Sequence, residues 1–240
     1  MGAEEARSYR RGAARVNYMA QDRPDLAYVA NLLSRSMSRP KCGDEQVLKR
    51  VGRYLITRPR LELVFRWQPV PDKLQVLTDS DWGGCRQSRR STSGTVVRVG
   101  SHLISFACKL QKAVALSSGE AELCAQVSGI SDGLGIQMVM KDFGFHCGLV
   151  SCCDSSAARG ALTRAGVGRM KHLTIKHLWV QGYVDRKELE IEWIPRARNP
   201  SDLLTHKAGR AEFEKHLRAL GCSFVSASLI PGGVETEEGC

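Results

Sequence analysis

Leu77-Thr78-Asp79-Ser80-Asp81-Trp82 closes a run, beginning at Lys73, in which polar and apolar side chains alternate. A period of two marks a strand with one buried face, and here the strand ends in acidic residues. Downstream, residues 95–99 are rich in β-branched side chains and residues 102–108 form a third apolar run. Gly83, Gly84, Gly94 and Gly100 lie between them as turn residues. The three runs predict an antiparallel meander. Leu123, Val127, Ile130, Leu134 and Met138 then fall on one helical stripe that stops before Gly144.

Farther along, residues 149–153 predict a short strand that leads into a small-residue helix over 155–163. A glycine-bearing basic loop (166–172), a helix to about residue 185 and a strand over 189–194 follow. A last helix is expected to open at Asn199-Pro200, with Asn199 as its cap and Pro200 at its first position. The order β-β-β-α-β-α-α-β-α describes an α/β domain, a five-stranded mixed sheet flanked by helices. That is the order of the ribonuclease H-like fold, and since unrelated chemistries share scaffolds, function has to be read from side chains.

Upstream of the meander the periodicity is helical. Leu26, Val29, Leu32, Leu33 and Met37 follow Pro24 at helical spacing, and Val47, Val51, Tyr54 and Leu55 repeat the pattern after Asp44 and Glu45. Pro69 and Pro71 mark a linker. The expected organisation is a helical segment over residues 1–69, a domain over 70–210, and a C-terminal helix with a flexible Ser/Gly/Glu-rich tail over 211–240.

The 240 residues carry 35 Lys and Arg against 25 Asp and Glu, a formal charge of +10, and 42% are hydrophobic. Such a composition excludes a disordered or collagen-like chain, and a basic surplus attracts polyanions. Most of the surplus, +7, falls in residues 1–71. Arg35, Arg39, Lys41, Lys49, Arg50, Arg53, Arg58 and Arg60 lie on the outer faces of the first helices, where they track a phosphate backbone or form a solvated basic face; both readings stay open. If the apolar face of these helices is exposed, oligomerisation through them is expected. No apolar run is long enough to span a membrane, and the first 20 residues hold four arginines without a signal-peptide core. Nine scattered cysteines, without a C-x-x-C, fit a reduced compartment. An intracellular chain is expected.

Four acids mark the strand ends and helix starts of the predicted sheet: Asp79 after the first strand, Glu122 early in the long helix, Asp154 after the fourth strand, and Asp202 in the first turn of the last helix. Each alone reads as a turn residue or a helix-dipole partner. Together, carboxylates a few ångströms apart raise one another's pKa, and hard divalent cations relieve that repulsion. Phosphodiester cleavage by two ions, without a nucleophilic side chain, is the chemistry such a set supports.

The runs Asp79-Ser80-Asp81-Trp82-Gly83-Gly84, Arg89-Arg90-Ser91-Thr92-Ser93-Gly94 and Ala115-Leu116-Ser117-Ser118-Gly119-Glu120-Ala121-Glu122 resemble the RNase H domain that follows reverse transcriptase in copia-type LTR retrotransposons. The likeness continues through Cys153-Asp154-Ser155, Lys171-His172, Trp193-Ile194-Pro195 and Asp202-Leu203-Leu204-Thr205, and covers residues 72–208. Arg23-Pro24-Asp25-Leu26-Ala27-Tyr28 and Val51-Gly52-Arg53-Tyr54-Leu55 are similar to the last helical part of that polymerase, its thumb or connection. The polymerase's own Tyr-x-Asp-Asp motif is absent.

The resemblance implies an endoribonuclease that cuts the RNA strand of RNA–DNA hybrids by a two-metal-ion mechanism, as part of a retrotransposon polyprotein whose element replicates by reverse transcription and DNA integration. Asp79, Glu122, Asp154 and Asp202 are implied as catalytic and metal-binding residues, with two Mg2+ ions as cofactor and Mn2+ as a substitute. Partners would be the hybrid and the upstream polymerase, in a cytoplasmic virus-like particle or the nucleus. Glu120 is expected to face solvent, Asp81 to serve a turn, and Trp82 to pack in preference to stacking on a base.

Hybrid recognition requires reading 2′-hydroxyls across the minor groove, for which Ser80, Gly83, Ser117 and Ser118 are candidates, with Arg89, Arg90, Arg169, Lys171 and His172 on phosphates. Arg89 and Arg90 read equally as hairpin-flanking charges. Gly119, Leu123, Ser155-Ser156 and Thr174 depart from the family's usual Thr, Tyr, Asn-Gln and Asp, and the loop Arg196-Ala197-Arg198 lacks a His common among these enzymes. Arg196 or Arg198 would bind the substrate phosphate there or remain solvated. Two other readings compete: a non-cleaving nucleic-acid-binding connection module or inactive relic, and an integrase-type enzyme, which would want its Glu on the last helix.

Overall fold

The structure, a computed structural model, describes residues 1–164, 166 and 175–225. It divides into two compact units, one of Met1–Val64 with the segment from Cys222, the other Phe65–Gly221.

The first unit holds three helices: α1 (Ala3–Met19), α2 (Pro24–Arg35) and α3 (Cys42–Thr57). The sequence pattern predicts only α2 and α3. The additional α1 buries Tyr9, Ala13 and Val16, at helical spacing, against Leu26, Ala30, Leu33 and Val51. Its inward stripe is narrow and its other faces are rich in arginine, which dilutes the signal. α1 covers much of the apolar face of α2 and α3, while Leu32 of that stripe remains 36% exposed. Asp25 is buried but paired with Arg23 (2.7 Å) and with the Tyr54 hydroxyl (2.7 Å). A buried carboxylate needs such partners to offset its desolvation. A short strand β1 (Leu61–Leu63) pairs antiparallel with the last strand of the chain, β7 (Cys222–Phe224).

The second unit is built on β2 (Lys73–Asp81), β3 (Thr92–Val99), β4 (His102–Leu110), β5 (Gly148–Cys153) and β6 (Leu189–Trp193), in the spatial order β4-β3-β2-β5-β6. The meander β2-β3-β4 is antiparallel, and β5 and β6 join β2 in parallel. Parallel neighbours need crossovers, supplied here by α4 (Ser118–Asp142) and by α5 (Ser156–Thr163) with α6 (Ile175–Asp185). The core between sheet and helices holds Leu74, Val76, Val97, Leu123, Ile130, Leu149, Leu162 and Leu189. Gly129 lets α4 approach the sheet: a Cβ there would stand 2.6 Å from Cγ2 of Thr78 and 3.0 Å from Cγ1 of Val76. The five-stranded mixed sheet matches the predicted class, and its order and directions are those of the ribonuclease H-like fold.

One element differs from expectation near the site. Asn199 and Pro200 open a 3-10 turn, Pro200–Leu204, while the final α-helix, α7, starts at Arg210 (Arg210–Ala219). Asn199 does act as the cap, its Oδ1 accepting from Ser201 N (3.2 Å). Its Nδ2 also donates to the carbonyl of Thr78 (2.8 Å), which holds the turn against β2. Gly209 is the N-cap residue of α7, in an extended conformation. No helix among the described residues is long and apolar enough to cross a membrane.

Candidate metal centre

Asp79 lies near the end of β2, opposite Gly94 of β3. A Cβ at Gly94 would stand 2.7 Å from the carbonyl oxygen of Ser201 and 3.0 Å from Cβ of Leu204. The missing side chain is therefore what lets the turn carrying Asp202 rest on the strand beside Asp79. The hydroxyl of Thr205, the residue that follows this turn, donates to Oδ2 of Asp79.

Glu122 stands in the second turn of α4, a helix capped by Ser117, whose hydroxyl accepts from Glu120 N (3.2 Å). Oε1 of Glu122 accepts from the backbone N–H of Ser80 (3.2 Å), while Oε2 is buried with no hydrogen-bond partner. Asp154 follows β5 and precedes Ser155, the cap of α5. One carboxylate oxygen from each of Asp79, Glu122 and Asp154 lies within 4.8 Å of the others.

Asp202 is not part of that trio but interacts electrostatically with Asp79 and Asp154. Its Oδ2 accepts from Nε of Arg196 (3.3 Å), and Oδ1 is buried without a partner. Burial first, and then Asp79, push Asp202 up to about 7 against the opposing pull of Arg196. Burial, Asp79 and Asp154 push Glu122 up to about 9, and Asp154 is also raised, chiefly by burial. Carboxyls placed this way are stable only with protons or cations among them. The two unpartnered oxygens and the all-oxygen donor set fit a hard dication such as Mg2+. Beneath the trio, the Cys153 thiol is pushed by burial up to about 12, so it offers no thiolate nucleophile near neutral pH.

The residues expected to contact nucleic acid are distributed unevenly. The Ser80 hydroxyl accepts from Nε2 of Gln111 (3.4 Å), and that of Ser117 is engaged as the cap of α4; Ser118 is exposed beside it. Arg89 adopts a positive φ of 55° in the β2–β3 loop, and its N–H donates to the Cys85 carbonyl (2.7 Å). Arg90 is exposed in the same loop, and Arg198 is exposed in the turn Arg196–Arg198. Arg169, Lys171 and His172 lie outside the described residues. Trp82 corrects the packing expectation: it is 58% exposed, with its indole N–H donating to the Ala115 carbonyl (3.1 Å). Asp81 accepts from the backbone and hydroxyl of Thr92, a structural bond between β2 and β3. Glu120 accepts from Leu116 N (2.7 Å) and plays a capping part.

Thr205, Gln111 and the second role of Asn199 are not legible in the sequence. Gln111 joins Ser80, Ser93 and the Ala121 carbonyl, linking the strand end to the start of α4. None of the three carries a signal of its own in a single sequence, because each acts through a partner distant along the chain.

The strand order and the carboxylates at the end of β2 define a ribonuclease H-like domain. No family model matches the chain. Its homologues include retrovirus-related Pol polyproteins from plant copia-type transposons. It is 30% identical over 229 residues to the Pol polyprotein from transposon RE2 of Arabidopsis thaliana, covering 94% of this chain and 16% of that protein. It is likewise 30% identical over 202 residues to that from transposon TNT 1-94 of Nicotiana tabacum, covering 82% of this chain and 15% of that protein. The chain thus spans about a sixth of the length of these relatives. Among solved structures, LC11-RNase H1 in complex with an RNA/DNA hybrid matches 60% of this chain and 99% of its own at 19% identity, with a TM-score of 0.40.

Proposed function

We propose that the chain is a divalent-metal-dependent endoribonuclease that cleaves the RNA strand of RNA–DNA hybrids, working within a retrotransposon polyprotein beside a polymerase. The observation that carries this reading is the convergence of Asp79, Glu122 and Asp154, with buried oxygens of Glu122 and Asp202 that lack any hydrogen-bond partner. When bound, two Mg2+ ions, or Mn2+ in their place, supply activation of the attacking water and stabilisation of the leaving oxygen at the scissile phosphate. Asp79, Glu122 and Asp154 would hold them, with Asp202 completing the set.

The surrounding residues do the positioning. The Ser80 N–H fixes one oxygen of Glu122, Thr205 fixes one oxygen of Asp79, and Gln111 ties the two supporting elements together. Arg196, exposed on its outer side, balances Asp202 and is placed to meet a phosphate approaching the carboxylates. Trp82 presents an open aromatic face on the same loop as Arg89 and Arg90, which suits a substrate of stacked bases and phosphates.

The test is incubation of a labelled hybrid with Mg2+ and either the wild-type chain or Asp79→Asn. Cleavage by the wild type and at least a hundredfold loss in the variant are expected, about 3 kcal/mol of transition-state stabilisation. Equal activity in both rejects the reading, and salt-sensitive hybrid binding without cleavage in either establishes the connection-module alternative.

A further inference from the structure

We propose that Asp202, Glu212 and His216 form a second cation site, suited to a first-row transition dication such as Zn2+, which does not use Asp79, Glu122 or Asp154 and shares only Asp202 with the centre described above. One ligating atom from each of these three residues lies within 4.8 Å of the others. Asp202 is 2% exposed, and with Oδ2 on Arg196 its buried Oδ1 has no hydrogen-bond partner.

Glu212 and His216 stand one turn apart on α7, so both project from the same face. They meet as an i,i+4 pair at the outer limit of an ion pair. His216 is 2% exposed, yet its Nε2 is 4.0 Å from Oε1 of Glu212, too far for a hydrogen bond. With bonds of about 2.0–2.1 Å, two ligands of one ion stand roughly 3–4 Å apart; His216 Nε2 and Glu212 Oε1 are 4.0 Å apart, and all three ligating atoms lie within 4.8 Å of one another.

The donor set decides the kind of ion. Mg2+ takes oxygen ligands and keeps its waters, whereas imidazole nitrogen suits Zn2+ and its neighbours in the first row. One imidazole and two carboxylates make three protein ligands and leave a fourth tetrahedral position for water. A dication also offsets the two negative charges, of which Arg196 balances only one.

The test uses the full chain, stripped of metal and held in excess Mg2+, with Zn2+ titrated against a chromophoric chelator and Co2+ as a spectroscopic stand-in. Wild type and the Asp79→Asn/Glu122→Gln/Asp154→Asn variant are expected to bind one Zn2+ equally well. His216→Gln and Glu212→Gln are expected to weaken binding about tenfold or more. Because His216 is buried and its replacement risks misfolding, the half-exposed Glu212 keeps the test decisive, with the melting curve as the control for folding. A wild-type chain that binds no Zn2+, a folded Glu212→Gln that binds as tightly as wild type, or a Co2+ spectrum dominated by sulfur charge transfer overturns the proposal. No substrate is involved, so loss of the nuclease reading and loss of this site are separate results.

Discussion

The hydroxyl of Thr205 donates to Oδ2 of Asp79, tying the turn that carries Asp202 to the strand that carries the first carboxylate. Both residues are buried. Thr205→Val keeps the shape and removes the donor, leaving a buried carboxylate oxygen without its partner. A stability loss of about 1–3 kcal/mol is expected from urea denaturation. An unchanged midpoint would show that Asp79 is held by other contacts.

Gly94 makes the close approach of that turn possible. Gly94→Ala places a methyl group 2.7 Å from the Ser201 carbonyl and 3.0 Å from Cβ of Leu204, neither of which is the tip of a flexible side chain. Overpacking of about 1–3 kcal/mol is expected in thermal denaturation. Hybrid cleavage should fall further than stability does, since the displaced turn bears Asp202. A variant with wild-type melting and turnover would contradict this.

Burial and neighbouring acids lift Glu122 to about 9 and Asp202 to about 7, both well above the ~4 of carboxyls in an unfolded chain. Between these values the folded state holds more protons than the unfolded state. The stability they contribute is complete below about 4 and declines as pH rises, levelling off above about 7 for Asp202 and above about 9 for Glu122. The metal-free chain is therefore expected to melt at progressively lower temperature as the medium turns alkaline. Glu122→Gln should flatten this slope, and added Mg2+ should restore stability most at the alkaline end. Parallel melting-against-pH curves for wild type and Glu122→Gln would refute the assignment.

Trp82 donates its indole N–H to the Ala115 carbonyl and is 58% exposed. Trp82→Ala is expected to change unfolding stability by no more than about 1 kcal/mol, the worth of an exposed hydrogen bond. Hybrid affinity should fall by about 1–3 kcal/mol, as for loss of one stacked base. Fluorescence anisotropy with a labelled hybrid measures the second quantity, and undiminished affinity would remove Trp82 from the interface.

Much of the sheet is legible in the sequence because its signals are local. The alternation before Asp79, the glycines between strands and the stripe of α4 each lie within a short window, and the acids stand out at their ends. Other features depend on residues that meet only after folding. Gly94 looks like a turn residue until Ser201 is placed against it, and Thr205 looks like an ordinary hydroxyl until Asp79 accepts from it. Asn199-Pro200 predicts an α-helix start where the structure has a 3-10 turn, because cap and proline chemistry are shared by both. His216 and Glu212 show helical spacing in the sequence, but nothing there announces that Asp202 lies beside them.

The pairing of Leu61–Leu63 with Cys222–Phe224 has a consequence for biosynthesis. As the chain leaves the ribosome, the helical unit cannot close its own ladder until residue 224 has emerged, by which time the whole of the other unit has been translated. At about 5–20 residues per second, the first strand waits on the order of ten seconds for its mate. During that interval its unpaired backbone is open to nascent-chain chaperones and to pairing with another copy.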